Sequence, residues 1–139
     1  MITYKDIDTA ITTLIKNNFS VGVKSQNIKK GFERPSFSTR FDNVKKSSVN
    51  LEQEHRDLTC RIYYFPNSRY KNEVELLEVR EKLESVFDMK LKVGDRELNI
   101  NETECVETDG ILQFYFDLSF EQGKDVPDSK IMENLIIKD

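Results

Sequence analysis

The chain has a single histidine, His55, and this residue type is the first to consider for acid–base chemistry. A histidine acts as a general base when a nucleophile or a carboxylate is held beside it, and a sequence does not show such a neighbour. The surrounding segment, EQEHRD, is polar throughout. We therefore interpret His55 as an exposed residue of a loop or of a strand edge, and not as a catalytic group.

A group of acidic side chains between residues 102 and 109 is the second candidate, because carboxylates bind metal ions. Strand alternation would scatter these side chains over both faces of a strand, and no loop of calcium-binding spacing surrounds them. The sequence therefore predicts no metal site in this segment. The residues concerned are Glu102, Glu104, Glu107 and Asp109.

The familiar catalytic and nucleotide-binding motifs are absent from the sequence. It contains no GxxxxGK[ST], GxGxxG, GxSxG or HExxH segment, and five glycines leave little material for a phosphate-binding loop. Cys60 and Cys105 lie in strand-like runs and form no CxxC pair, so we expect buried, reduced thiols. We predict a protein that is not an enzyme, binds no cofactor and works by contact with other molecules.

Length and composition indicate one globular domain. A chain of 139 residues is long enough for a hydrophobic core, and its nine Phe and five Tyr argue against disorder. The net charge of −4 arises from 21 basic and 25 acidic residues mixed along the sequence, so we expect no specific nucleic-acid binding. The N-terminus has no apolar signal segment, and no run of about 20 apolar residues would span a membrane. Synthesis in the cytoplasm and no membrane partner are therefore predicted.

Two segments have the apolar spacing of amphipathic helices. The first covers residues 3–18, and Thr3 with Asp6 resembles a capping box at its start. The second covers residues 73–88, with Asn72 as the predicted N-cap and Glu75 at the third helical position. Each segment has one apolar stripe, which must be buried against another element.

Three segments alternate with the period of a β-strand: residues 36–44, 51–65 and 111–120. In the third segment every even position is large and apolar, and we place the centre of the core there. The polar segment NVKKSSVN is predicted to connect the first two strands as a hairpin loop.

Further turns are predicted near the end of the chain at Gly94-Asp95 and at Asp109-Gly110, a dipeptide favoured in two-residue hairpins. The alternation slips between Ile100 and Cys105, which predicts a bulge or a break near residues 101–103. Together the elements predict an α+β fold with a mostly antiparallel β-sheet and two main amphipathic helices packed on one face.

The last 13 residues of the chain, 127–139, form an apolar segment that follows a polar stretch. We predict a single domain over residues 1–126 and an apolar tail over residues 127–139, which includes Met132, Leu135 and Ile136. Such a tail is either a short helix that closes its own core or an arm that docks on a neighbouring molecule.

Three stretches of the chain carry a resemblance to a known family: Gly31-Phe32-Glu33-Arg34-Pro35, Tyr64-Phe65-Pro66, and the hairpin Asp109-Gly110 that leads into alternating aromatics. Together with the order of the elements, from MITYKDI to IMENLIIKD, they make the chain similar to tail terminator proteins. This family occurs in long-tailed phages and phage-derived particles of Gram-positive bacteria.

The resemblance implies a small structural subunit that forms a hexameric ring. Such a ring caps the tail tube, stops its polymerisation and presents a surface to the head. The implied partners are further copies of the chain, the tail tube protein and the head–tail connector protein, and DNA passes through the lumen. The implied location is the virion tail, after assembly in the host cytoplasm.

Candidate interface residues follow from this resemblance. Pro35 fits the first position of a strand. Phe32 and Arg34 either fix this strand entrance, with Arg34 paired to a local carboxylate, or contact another subunit or the tube from an exposed loop. Tyr115 belongs to the polar face of the last strand, which faces water or a second chain. Residues of the tail complete the set: Met132, Leu135 and Ile136.

Two alternatives stay open at this point. One is another protein of the head–tail neck or of tail completion, which would share the size, the charge and the lack of motifs. The other is a small cytosolic ligand-binding domain or enzyme, which would require a deep pocket with convergent polar groups.

Overall fold

The computed structural model describes residues 1–20, 23–24, 34–67 and 71–124. Within these residues the chain forms two helices and seven strands. In chain order they are α1 (Tyr4–Asn18), β1 (Val23–Lys24), β2 (Ser36–Ser48), β3 (Gln53–Phe65), α2 (Glu73–Val86), β4 (Lys90–Val93), β5 (Arg96–Asn99), β6 (Thr103–Thr108) and β7 (Ile111–Gly123).

Five strands form one sheet in the order β1-β2-β3-β7-β6. All pairs in it are antiparallel except β1 with β2, where Val23 is opposite Phe37. The remaining strands, β4 and β5, form a separate two-stranded hairpin. The predicted α+β class with a mostly antiparallel sheet is confirmed.

Helix α1 begins where the sequence predicts. Thr3 is its N-cap, and its hydroxyl accepts from the backbone N–H of Asp6 at 3.1 Å. The Asp6 carboxylate accepts in return from the backbone N–H of Thr3 at 2.9 Å, so the predicted capping box is present. This backbone hydrogen bond is the main reason why the pKa of Asp6 lies below its usual value. The stripe that α1 buries consists of Ile7, Ile11 and Ile15.

Helix α2 has Asn72 at the N-cap position, but its side chain makes no capping hydrogen bond. Glu75 does not complete a capping box either. Its carboxylate accepts from the Tyr64 hydroxyl at 2.5 Å and from the backbone N–H of Asn67 at 2.8 Å. The start of α2 is thus tied to the end of β3 by a tertiary contact, which the local spacing does not reveal.

The β2–β3 hairpin differs from its prediction. Most of the segment NVKKSSVN is strand and not loop, because β2 continues to Ser48. The strand has a bulge at Asn43, whose φ is 53°. The turn follows at residues 49–52, where the Asn50 side chain accepts from the backbone N–H of Gln53 at 2.8 Å. Strand β3 pairs with β7 from Gln53 to Tyr64. Because β3 is held in this way on its other side, it offers β2 a long partner in spite of the polar sequence of β2.

The later turns and the predicted break are confirmed. Asp109 and Gly110 have φ values of 53° and 77° in the tight turn between β6 and β7, and Gly94 has a φ of 62° between β4 and β5. A hairpin turn with two positive φ values favours this residue pair. Strand β5 ends at Asn99 and β6 begins at Thr103, so the break separates the small hairpin from the main sheet.

Both helices pack on the same face of the main sheet, which we call the covered face. Its side chains come from the even positions of β3 and β7 and from odd positions of β2, and they form one hydrophobic core with both helices. Phe87, just after α2, contacts the rings of Phe114 at 6.0 Å and Phe116 at 5.4 Å between centroids. The even positions of β7 that the sequence assigns to the core are all buried: Leu112, Phe114, Phe116, Leu118 and Phe120.

Candidate functional site

The opposite face of the main sheet, which we call the open face, carries the odd positions of β3 and β7. No described helix packs on it, since the core residues of α1 and α2 belong to the covered face. Apart from Ile111 at the start of β7, its side chains are polar or aromatic, and most are half-buried or exposed. The open face is therefore a water-accessible surface within the described part of the chain.

A charged and aromatic network lies at the centre of this face. Strand register places Arg61 of β3 between Arg40 of β2 and Tyr115 of β7. The Arg61 guanidinium donates to the Asp42 carboxylate and lies 4.5 Å from the centre of the Tyr115 ring. Asp42 also pairs with Arg40, at 3.2 Å from the guanidinium Nε to the carboxylate. The two arginines are thus held by one carboxylate.

Tyr115 is fixed on its other side by Glu104 of β6. The hydroxyl donates to the Glu104 carboxylate at 2.5 Å, and this hydrogen bond raises the pKa of Tyr115. The ring is clamped between a cation on one neighbouring strand and a carboxylate on the other. An aromatic side chain held in one conformation loses little entropy when a partner covers it, which suits a contact residue.

His55 lies inside β3, between Ser47 and Glu121 on the neighbouring strands, and not in a loop or at a strand edge. The long β2–β3 ladder is the reason for this difference from the prediction. The His55 ring is near both Asp57 and Ser119, a combination that occurs in hydrolases. Both groups approach the same ring nitrogen, Nε2, at 3.2 Å and 3.1 Å.

In a catalytic triad the carboxylate and the serine use opposite nitrogens of the imidazole. Here the carboxylate nearest the opposite nitrogen, Nδ1, is that of Glu121, and its distance of 3.9 Å is longer than a hydrogen bond. The hydroxyl of Ser119 hydrogen-bonds to Asp57, and this is the largest cause of the lowered pKa of that carboxyl. The three side chains form one hydrogen-bond cluster on the open face.

The two cysteines are free thiols, as predicted. Cys60 is buried in the core and Cys105 is only half-buried, and burial raises the pKa of both thiols. A raised thiol pKa lowers the thiolate fraction and hence the reactivity. Among the residues that the structure describes, no group of three or more His, Cys, Asp or Glu side chains is placed to hold a metal ion. Neither described helix is long and apolar enough to cross a membrane.

The other described candidate, Arg34, lies at the entrance of β2. Its guanidinium donates to the backbone carbonyl of Pro66 at 3.2 Å and lies 5.8 Å from the centre of the Phe65 ring. Ser36 pairs with Phe65, so Pro35 directly precedes the strand, as its predicted place at a strand entrance requires. Arg34 and Pro35 of one stretch that carries the family resemblance therefore lie beside Phe65 and Pro66 of another, at one corner of the sheet.

The structure places Arg34 and Tyr115 in different parts of the molecule. Arg34 is at the corner where β2 begins and β3 ends, and Tyr115 is in the middle of β7. The other candidate interface residues lie outside the described residues: Phe32, Met132, Leu135 and Ile136.

Sequence reasoning missed the two residues that hold Tyr115, Arg61 and Glu104, and it missed Asp42, which pairs with Arg61. Strand alternation does assign Arg61 to the polar face of β3. The register that brings it beside Tyr115 depends on how β3 pairs with β7, strands separated by more than 40 residues of chain. The sequence predicts which residues lie on the polar face of each strand. It does not predict which of these residues become neighbours across strands.

Comparison with known proteins adds one finding to this geometry. A family model described as phage tail terminator protein matches residues 6–130 of the 139-residue chain. The match includes the whole main sheet, the small hairpin and α2, and all but the first two residues of α1. No curated protein matches the chain significantly.

Proposed function

The chain belongs to the phage tail terminator protein family, and we propose on this basis that it caps the tail tube as a ring, stops tube polymerisation and provides the head-joining surface. The family makes it a structural protein of the phage tail, which acts in tail completion together with other tail and head proteins. The family match over residues 6–130 is the observation that carries the proposal.

Physical reasoning supports a ring as the device that stops a polymer. A terminating subunit must match the growing end on one side and present a different surface on the other. A ring closes when identical subunits join through a heterologous interface whose rotation returns to the start. The rigid main sheet and the clamped side chains of its open face suit such contacts, because ordered residues lose little entropy on association.

Within this function, residues 1–126 form the folded domain and residues 127–139 an interface arm. Phe32, Arg34 and Tyr115 contribute contacts to a neighbouring subunit or to the tube, and Met132, Leu135 and Ile136 contribute apolar contacts of the arm. Arg34 and the aromatic residues are types that concentrate binding energy at protein interfaces.

Deleting the gene from its phage or prophage tests the function directly. We expect overlong tails, measured by negative-stain electron microscopy, and tails of normal length when the wild-type chain is supplied in trans. Tails of normal length that are detached from heads would instead assign the chain to another neck protein. Unchanged, infectious particles would contradict both functions.

Substitution of Arg34 by Ala tests the corner of the sheet. We expect a folded protein with weaker ring assembly, followed by light scattering of the purified chain. Arg80→Ala is the matched control, because Arg80 lies on α2 with a half-exposed side chain near Glu84. If Arg34→Ala assembles like the wild type, Arg34 is not an interface residue.

Removal of residues 127–139 tests the arm. We expect a soluble chain with the circular dichroism spectrum of the full-length protein and with impaired assembly. An unfolded truncation would show that these residues complete the core of their own subunit, which contradicts the arm.

A further inference from the structure

The two edges of the main sheet carry opposite charges. Strand β6 forms one edge, and residues 101–110 contain four acidic side chains and no basic one. All four are exposed. We call this the acidic edge; its carboxylates belong to Glu102, Glu104, Glu107 and Asp109.

Strand β2 forms the other edge beyond its short contact with β1. That contact involves only Phe37 and Ser38, and no other described strand pairs with the outer side of β2. We call the stretch from residue 40 to residue 48 the basic edge. It contains Arg40, Lys45 and Lys46, all exposed, and a single acidic residue, Asp42, which pairs with both Arg40 and Arg61.

Strand directions make the two edges compatible. β2, β3, β7 and β6 alternate in direction along the sheet, so β6 runs opposite to β2. If a second copy is placed beside the first in the same orientation, β6 of one copy and β2 of the next are antiparallel. The backbone groups on the outer sides of these two strands, which pair with no further strand among the described residues, are then able to form an ordinary antiparallel ladder. Because β1 occupies β2 at Phe37 and Ser38, the neighbour must be shifted towards the β2–β3 turn.

We propose that the acidic edge of one copy pairs with the basic edge of the next copy, so that the sheets of neighbouring subunits are joined head to tail. The proposal rests on ring formation in the proposed function and names the surfaces that form the ring. A second copy of the chain is the partner, because the two edges of its sheet have complementary charges and compatible strand directions.

The charges of the two edges also favour pairing between unlike edges over pairing between like edges. Charged edges protect sheets from indiscriminate pairing, since like charges repel when an edge meets its own kind. Here β6 against β6 brings carboxylates together, and β2 against β2 brings cations together. Only the mixed pairing is attractive, and a mixed pairing is heterologous, which is the type that generates rings.

Charge reversal of each edge tests the proposal on the full-length chain. The acidic-edge variant is Glu102→Lys with Glu107→Lys, which leaves the hydrogen bond between Tyr115 and Glu104 in place. The basic-edge variant is Arg40→Glu with Lys45→Glu, which spares Lys46 beside the buried Glu54. Sedimentation velocity over a range of protein and salt concentrations measures association, and circular dichroism checks folding.

We expect each variant to associate at least about tenfold more weakly than the wild type, because like charges then face each other. An equimolar mixture of the two variants, and a chain with all four substitutions, should associate within about threefold of the wild type, since opposite charges face each other again. Wild-type association should weaken as salt is added. The control Glu78→Lys with Glu81→Lys, on the exposed side of α2, makes the same charge change away from both edges and should have no effect.

Two results would overturn the proposal. One is a wild-type chain that stays monomeric at every concentration, and the other is reversal variants that neither lose association alone nor regain it when combined. Either result would leave the expected outcome of the gene deletion unchanged, because subunits that associate through other surfaces would still stop polymerisation of the tube. Tails of normal length after deletion of the gene would contradict the terminator function, independently of the result of the charge-reversal experiment.

Discussion

The covered face and the open face of the main sheet are built from the same strands but differ in nearly every physical property. On β7, Phe114 is fully buried, whereas its neighbours Gln113 and Tyr115 are partly exposed on the other side. One residue along a strand changes the face, so core positions and water-accessible positions alternate. Substitutions on the open face should therefore disturb the fold less than substitutions on the covered face.

The two faces also differ in how far their charged side chains are exposed to water. On the open face Arg61, Asp42 and Arg40 lie near the surface, where water screens their interaction. At one end of the covered face Glu54 is almost fully buried, and its carboxylate accepts from Arg56, which lowers the pKa of Glu54. Gln122, beside it, accepts from the backbone N–H of Ile2 at 2.9 Å. This buried cluster ties the first residues of the chain to the end of β7.

The largest expected effect is a cavity on the covered face. Phe114→Ala removes a fully buried ring that contacts Phe87, and such changes cost about 3–5 kcal/mol of unfolding free energy. Gln113→Ala, the neighbouring position on the open face, should change it by less than about 0.5 kcal/mol. Urea denaturation followed by circular dichroism measures both, and similar losses for the pair would contradict the division between the faces.

A smaller effect is expected from the buried carboxylate. The folded-state pKa of Glu54 is lowered, so its contribution to stability is complete above the unfolded-state pKa and is lost as the pH falls through the folded-state value. Glu54→Gln should therefore lower the urea midpoint at pH 7 and reduce the loss of stability between pH 5 and pH 3.

The matched control for this change is Glu121→Gln, which alters a carboxylate on the open face that is 60% exposed. It should leave the midpoint at pH 7 and its pH dependence close to those of the wild type. If both variants show the same pH dependence, the burial of Glu54 has no influence on stability.

The smallest effect on stability is expected for Tyr115→Phe. The substitution removes the hydroxyl that donates to Glu104 but keeps the ring beside Arg61. The urea midpoint should not change measurably, while the absorbance titration at high pH loses a phenol whose pKa is raised. A midpoint shift as large as that of Glu54→Gln would show that the open-face network holds the fold together.

Much of the architecture could be predicted because it depends on local periodicity. The helical stripe of Ile7, Ile11 and Ile15, the even positions of β7 and the Asp109-Gly110 turn were all readable. The predictions that differ from the structure concern residues whose partners lie outside their own helix or strand. Glu75 binds Tyr64 and Asn67 instead of capping a helix.

The sequence by itself determined the element types, the apolar faces and the family resemblance, because these depend on side-chain spacing and on short motifs. Tertiary structure alone decided the length of β2, the place of His55 inside a ladder and the clamp of Arg61 and Glu104 on Tyr115. It also placed the acidic and the basic strand at opposite edges of one sheet. Strand order and register are properties of the whole sheet, since each pairing is fixed by burial on one face and by hydrogen bonds to strands far along the chain.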